Sequence, residues 1–153
     1  MRVAALRIMR MLQRFRPRLI GSVMTGHVRR GSDIDIHIFS DSVEAVVAVL
    51  RDEGIPHELE RKQVRKHGEE RTFNHVHFHD EFPFELTIYA ANLAHYVFKS
   101  SVTGKAIERA SIAELEQFLA EEYPHLDLER AVAEVEERVD RFQIYEMLLV
   151  PLE

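Results

Sequence analysis

A chain of 153 residues is long enough for one domain with a substantial core and too short for a multidomain enzyme. It contains no cysteine, which excludes disulfide bonds and thiolate metal sites. No apolar run approaches the roughly 18 residues that span a membrane, and the arginine-bearing N-terminus lacks the apolar core of a signal peptide. We therefore expect a cytoplasmic protein with no membrane contact.

The net charge of −6 is distributed unevenly. Residues 1–32 contain eight arginines and no acidic residue, so the remaining chain is strongly acidic. The basic segment either attracts a polyanion such as a nucleotide or RNA, or forms a helix with an arginine-rich polar face, and the sequence leaves both open. The acidic total argues against a dedicated nucleic-acid binder.

The first segment predicts a helix and then a short strand. Apolar residues at helical spacing predict the helix over residues 2–15, ended by the proline that follows. The stretch 18–22 predicts a buried strand that runs into a turn. In that turn Gly21 lets the backbone approach a ligand and Ser22 adds a hydroxyl donor. A helix starting at Val23 would direct its free N–H groups toward a phosphate.

The segment 33–39 predicts a strand with one acidic face. Every second residue is isoleucine, which predicts that one face lies in the core and that Asp33, Asp35 and His37 lie on the other. Two carboxylates at positions i and i+2 lie roughly 6.5 Å apart along a strand. They are close enough to share divalent cations, which would relieve their mutual repulsion.

The motif as a whole resembles the signature of the DNA polymerase β-like nucleotidyltransferase superfamily: apolar-Gly-Ser, then about ten residues, then Asp-apolar-Asp-apolar. Gly21, Ser22, Asp33 and Asp35 match this signature, and Ser32 before the first aspartate is also typical. The motif covers residues 18–39, and the later segments fit the minimal fold.

One position departs from the commonest pattern of that superfamily. An arginine usually precedes the glycine that corresponds to Gly26, whereas this chain has Thr25. Arg29 and Arg30 are the residues that could replace its phosphate contact.

The resemblance implies an activity and a set of roles. It implies that Asp33, Asp35 and a third acid hold Mg²⁺ or Mn²⁺, and that a nucleoside monophosphate moves from a nucleoside triphosphate to a hydroxyl acceptor with release of pyrophosphate. The implied phosphate contacts are Gly21, Ser22, Ser32 and Arg30. The resemblance does not identify the nucleotide. It also leaves three classes of acceptor: a protein, an RNA end or a small molecule. The competing hypothesis is a catalytically weak or inactive nucleotide-binding module, antitoxin-like, that regulates a protein partner.

The segments after the acidic strand predict the rest of a mixed sheet of about five strands with helices packed on it, an α+β fold. Residues 41–44 have capping-box spacing, with Asp41 as the cap of a helix closed by Gly54. The remaining predicted strands cover residues 57–66, 71–79 and 84–90, the last with Ala90 facing inward.

The third carboxylate is predicted to be Glu85. Asp80 and Glu81 lie in a turn, where acids are common, whereas strand alternation directs Glu85 to the face of the two aspartates. We expect one of its oxygens within about 6 Å of an oxygen of Asp33 or Asp35. The predicted hairpin register places His79 opposite Glu85.

Histidines surround this predicted site. His37 and His79 are the candidates for a supporting role beside the carboxylates. Together with His75 and His77, His79 also forms a row on one strand face. A zinc site is the weaker interpretation of that row, because adjacent positions of one strand rarely surround a tetrahedral ion.

The C-terminal part is predicted to be largely helical. Residues 91–98 predict a short helix and 111–122 a helix with a capping box. Residues 99–105 predict a loop, for which solvent exposure is the favoured interpretation and phosphate contact through Lys99 or Lys105 the alternative. The last helix, 127–148, carries a narrow apolar stripe of Leu128, Val132, Val135, Val139 and Phe142. The stripe packs in the core or, as the alternative, forms a homodimer. We expect one domain over 1–153, with a core of about 1–90 and a helical extension of about 91–153.

Overall fold

The computed structural model describes residues 1–100 and 103–149, without the side chains of residues 66, 142 and 144–149. Its centre is a five-stranded sheet in the order β1-β2-β5-β4-β3. The helices are α1 (Arg2–Met11), α2 (Gly21–Thr25), α3 (Val43–Asp52), α4 (Ile112–Glu122) and α5 (Leu128–Leu149). The strands are β1 (Arg18–Ile20), β2 (Ile34–Phe39), β3 (Glu58–Lys66), β4 (Glu69–His79) and β5 (Pro83–Tyr89).

The sheet is mixed, and its one parallel pair lies at its centre. β2 pairs with β5 in parallel, and the β1–β2, β4–β5 and β3–β4 pairs are antiparallel. One face of the sheet contributes to the core with residues such as Ile36, Leu86 and Val76, which have no solvent exposure. The helices supply the other side of that core, so the predicted mixed sheet with packed helices is confirmed.

The N-terminal helices begin and end at other residues than predicted. α1 ends at Met11, and Gln13–Phe15 forms a separate 3₁₀ turn. Arg16, before the proline, adopts a left-handed conformation with a φ of 49°, which is incompatible with a continued α-helix. α2 begins at Gly21 instead of Val23.

The two predicted capping boxes have different outcomes. The cap of α3 is Ser42, whose side chain accepts a hydrogen bond from the Ala45 amide. The carboxylate of Asp41, the predicted cap, instead accepts from the amide of Ala91. Ser111 caps α4 as predicted, with a complete reciprocal capping box.

The predicted register of the β4–β5 hairpin is wrong by two residues. The structure pairs His77 with Glu85 and His79 with Pro83. The turn is therefore shorter than predicted, and the Asp80 amide donates across it to the Phe82 carbonyl at 3.1 Å. A shift of two residues keeps every side chain on its predicted face, so the core is preserved.

The chain after β5 is less regular than predicted. Ala90 is exposed and follows the end of the strand, so its predicted inward position is wrong. Residues 91–98 form no α-helix, only a 3₁₀ turn over Ala91–Leu93. Residues 101 and 102 of the predicted loop 99–105 lie outside the described residues.

The apolar stripe of α5 faces the core. Val132, Val135 and Val139 are buried there, and Leu128 packs against them. The side chain of Phe142 lies outside the described residues. The core interpretation of the described stripe is therefore confirmed. In the described part of the chain, no helix is both long and apolar enough to cross a membrane.

Candidate active site

The central parallel pair brings two of the predicted acidic residues side by side. Asp35 on β2 is paired with Glu85 on β5, and on its other side Asp35 is paired with Ile20 at the end of β1. Because parallel neighbours in register point to the same face, both carboxylates stand on the face opposite the helices. Asp33 comes just before β2 and follows the same alternation.

Three carboxylates converge at this point. Ligand oxygens of Asp33, Asp35 and Glu85 all lie within 4.8 Å of one another. The predicted proximity of Glu85 to the two aspartates is thus confirmed. The competing acids are engaged elsewhere: Asp80 pairs with Arg7 at 2.6 Å and Glu81 with Arg138 at 2.7 Å.

The electrostatics of the cluster favour a bound cation. Burial, together with the nearby charges of Glu85 and Asp33, raises the pKa of Asp35 from 3.8 to about 6. A group of carboxylate oxygens is the donor set that Mg²⁺ and Mn²⁺ prefer. The three residues therefore fit a hard divalent cation, whose charge would offset their repulsion.

Gly21 lies against this cluster. Its φ is +74°, and a β-carbon added there would lie 2.7 Å from Oδ2 of Asp35. Glycine is thus required both by the left-handed backbone and by the approach of the carboxylate. Ser22 follows as the second residue of the five-residue α2.

The other two predicted phosphate contacts lie in the loop before β2. The hydroxyl of Ser32 accepts a hydrogen bond from the Arg29 amide at 2.8 Å, and the Ser32 amide donates to the Arg29 carbonyl. Ser32 therefore closes a loop turn. Arg30 lies within this turn and is exposed.

The histidines of β4 contact glutamates. Nδ1 of His75 lies 2.9 Å from Oε1 of Glu85, and Nε2 of His77 lies 3.0 Å from Oε2 of Glu60. Nδ1 of His79 donates to the Asp80 carbonyl. With the corrected register, His77 replaces His79 as the residue opposite Glu85.

The three histidines do not converge as a zinc site would require. Among the residues that the structure describes, the carboxylates are the one group of three metal-binding side chains with ligand atoms within 4.8 Å. His75 is the histidine that contacts the candidate site. The sequence indicated its face but not this contact, because the contact depends on the register.

His37 belongs to an aromatic cluster instead of the acidic one. It is 4% exposed, and its ring lies 4.8 Å from that of Tyr89 and 5.1 Å from that of Phe98. Burial lowers the pKa of His37 from 6.5 to about 4, and the charge of Arg109 contributes. This cluster was not predicted from the sequence. Aromatic residues at the alternate positions Phe39 and Tyr89 were the available signal.

Comparison with known proteins places these observations in a family. A family model described as a nucleotidyltransferase domain matches residues 6–90, more than half of the chain, and this span contains all three carboxylates. Searches among curated proteins and among solved structures found no match. The chain belongs to the nucleotidyltransferase domain family of the DNA polymerase β-like superfamily, as its motif predicted.

Proposed function

We propose that the protein is a metal-dependent nucleotidyltransferase that moves a nucleoside monophosphate from a nucleoside triphosphate to a hydroxyl acceptor. The observation that carries this proposal is the convergence of Asp33, Asp35 and Glu85 within 4.8 Å beside Gly21. In the proposed reaction the acceptor oxygen bonds to the α-phosphorus, the bond to the bridging oxygen breaks, and pyrophosphate leaves. The acceptor is a protein, an RNA end or a small molecule.

The carboxylates would hold Mg²⁺ or Mn²⁺. When bound, the ion supplies charge neutralisation and alignment for phosphoryl transfer. Asp35 on β2 and Asp33 just before it would hold the ion together with Glu85 on the parallel neighbour β5. The parallel pairing fixes Asp35 and Glu85 relative to each other before any nucleotide arrives.

The turn after β1 would contact the triphosphate. Gly21 has no side chain to obstruct a phosphate, and Ser22 can donate its hydroxyl to a phosphate oxygen. Ser32 would act through the turn that it closes, and Arg30, exposed in that turn, can move toward the phosphates. We assign Ser22 the direct contact and Ser32 the supporting one.

His75 would position Glu85. Its Nδ1 is 2.9 Å from the Glu85 carboxylate and 3.2 Å from the hydroxyl of Thr87. Both partners stand on β5, so the imidazole holds the glutamate toward the aspartates. His37 is buried among aromatic rings on the same strand face as Asp35 and would support that face beside the carboxylates.

The homodimer and the cytoplasmic location remain predictions. The homodimer through the C-terminal helix would need another surface of α5, because the described stripe is buried against α1 and the core. The cytoplasmic location rests on the sequence.

The test is incubation of the purified protein with each α-labelled nucleoside triphosphate, Mg²⁺ or Mn²⁺, and a cell extract that supplies acceptors. We expect pyrophosphate release and label on an acceptor, both lost in Asp35→Asn. Asp140→Asn, an exposed acid on α5, is the matched control and should keep full activity. Nucleotide binding without pyrophosphate release from any acceptor would support the regulatory module instead.

A further inference from the structure

A concave site lies where β2 and β5 end. It is a cavity of about 970 Å³, within the size range of small-molecule sites. In sheets with parallel strands, ligands bind preferentially in the crevice outside the carboxyl ends of those strands. Its lining includes four aromatic residues and two cations: Phe73, Tyr89, Tyr96, Phe98, Arg71 and Lys99.

Four aromatic rings form a wall of this cavity. Ring centroids are 4.6 Å apart for Tyr89 and Phe98, 5.3 Å for Tyr96 and Phe98, and 6.0 Å for Phe73 and Tyr89. Tyr96 is 59% exposed, an unusual fraction for a large aromatic side chain. An exposed ring supported by half-buried ones is a surface on which a planar aromatic ligand can stack.

The polar groups of the cavity suit a nucleobase that carries a phosphate. Arg71 and Lys99 are exposed cations on its rim. The cations complement phosphate, and the aromatic rings complement the flat face of a base.

The aromatic wall of the cavity and the carboxylates are separate but lie on one face of the sheet. Phe39 and Tyr89 are paired four residues beyond Asp35 and Glu85 on the same two strands. At about 3.3 Å per residue, the two pairs are roughly 13 Å apart. A ligand in the cavity therefore needs no ion at the carboxylates.

We propose that this cavity binds a nucleobase with its phosphate, independently of divalent cations. This binding does not depend on the proposed reaction. Only the identity of the bound base, as part of the nucleoside triphosphate or of a nucleotide acceptor, rests on the proposed function.

The first experiment measures binding of the four nucleoside 5′-monophosphates and of a short single-stranded RNA by equilibrium dialysis in EDTA. We expect at least one probe to bind, and to bind about tenfold more weakly to Tyr96→Ala, which loses a stacking contact, and to Lys99→Ala, which loses a charge-assisted contact with phosphate. Tyr123→Ala removes another exposed tyrosine, on the C-terminal side of α4, and should bind as the wild type does. Asp35→Asn should also retain binding.

Failure of this proposal is distinguishable from failure of the proposed function. Absence of binding in EDTA, equal binding by Tyr96→Ala and wild type, or loss of binding in Asp35→Asn would each overturn the cavity site, whether or not the protein turns over. With an active protein, a raised KM for the triphosphate in Tyr96→Ala assigns the cavity to the incoming nucleotide. A raised KM for the acceptor assigns it to the acceptor, and unchanged KM values for both would overturn the link to the reaction.

Discussion

A β-carbon at Gly21 would lie 2.7 Å from Oδ2 of Asp35, closer than real β-carbons approach any atom. The glycine therefore serves the carboxylate cluster as well as the turn. Its left-handed φ of +74° adds a second reason against any side chain. The cost of backbone strain and the cost of the clash with Asp35 can be measured separately, because other glycines of this chain share the positive φ but lack the close contact.

Gly21→Ala should displace Asp35 and abolish the Mg²⁺-dependent rise in melting temperature. Gly31→Ala is the matched control, because Gly31 has a φ of +83° and nothing within 4 Å of the position that its β-carbon would take. Both variants should lose about 1–2 kcal/mol through backbone strain. Gly21→Ala should lose more, and a double-mutant cycle with Asp35→Ala should recover the excess. Equal losses in the two glycine variants would contradict the contact.

Asp35→Asn should change the pH dependence of stability in EDTA. The pKa of Asp35 is raised to about 6 in the fold, so between about pH 4 and pH 6 the folded state binds more protons than the unfolded state. The wild type therefore loses stability from this group as the pH rises through that window. The asparagine variant should lack this loss and melt at a higher temperature near neutral pH, whereas Asp140→Asn should not.

His37→Phe should have the opposite effect. The pKa of His37 is lowered to about 4 by burial, so the stability that depends on the neutral ring is complete above about pH 6.5 and lost as the pH falls toward 4. The contributions of His37 and Asp35 oppose each other in nearly the same window. Melting curves of His37→Phe should therefore show the stability loss with rising pH that Asp35 causes, unmasked. His125→Phe, at an exposed position, should keep the wild-type profile.

His75→Leu should weaken Mg²⁺ binding by about tenfold or more, the usual cost of removing a residue that orients a metal ligand. The readout is the Mg²⁺ concentration at half of the melting-temperature shift. His75→Gln, which retains a hydrogen-bond donor, should restore part of the affinity. His77→Leu is the neighbouring control, because His77 contacts Glu60. Equal weakening in both leucine variants would show a general effect of the strand instead of positioning.

Local patterns were sufficient to predict the acidic site. Alternation placed Asp33, Asp35 and Glu85 on one face, and a register error of two residues left that face unchanged. The partner of Glu85 was not predictable in the same way. The residue that contacts Glu85 depends on the length of the β4–β5 turn, beside which Phe78 stacks on Phe84 at 4.8 Å. Two registers that differ by two residues give the same alternation of buried and exposed side chains, so the pattern alone does not choose between them.

The aromatic cluster around His37, on the same sheet face as the carboxylates, is formed by residues distant in sequence. Phe98 covers His37 only because the chain after β5 folds back over the sheet, where Ala110 bridges to Leu19. Residues 94–110 carry no periodic pattern that would predict this path. The sequence therefore indicated the acidic site on the strand, and the structure shows a cluster of aromatic rings beside that site on the same face.

The parallel pairing of β2 with β5 has a consequence for the order of folding. Its partners Asp35 and Glu85 are 50 positions apart in the chain, whereas β3, β4 and β5 are joined by short turns. Local hairpins form in microseconds, and closing a long loop costs more chain entropy, so the meander should precede the central pair. The carboxylates would then meet only in a late step, and a nascent chain would complete the proposed cation site together with its native topology.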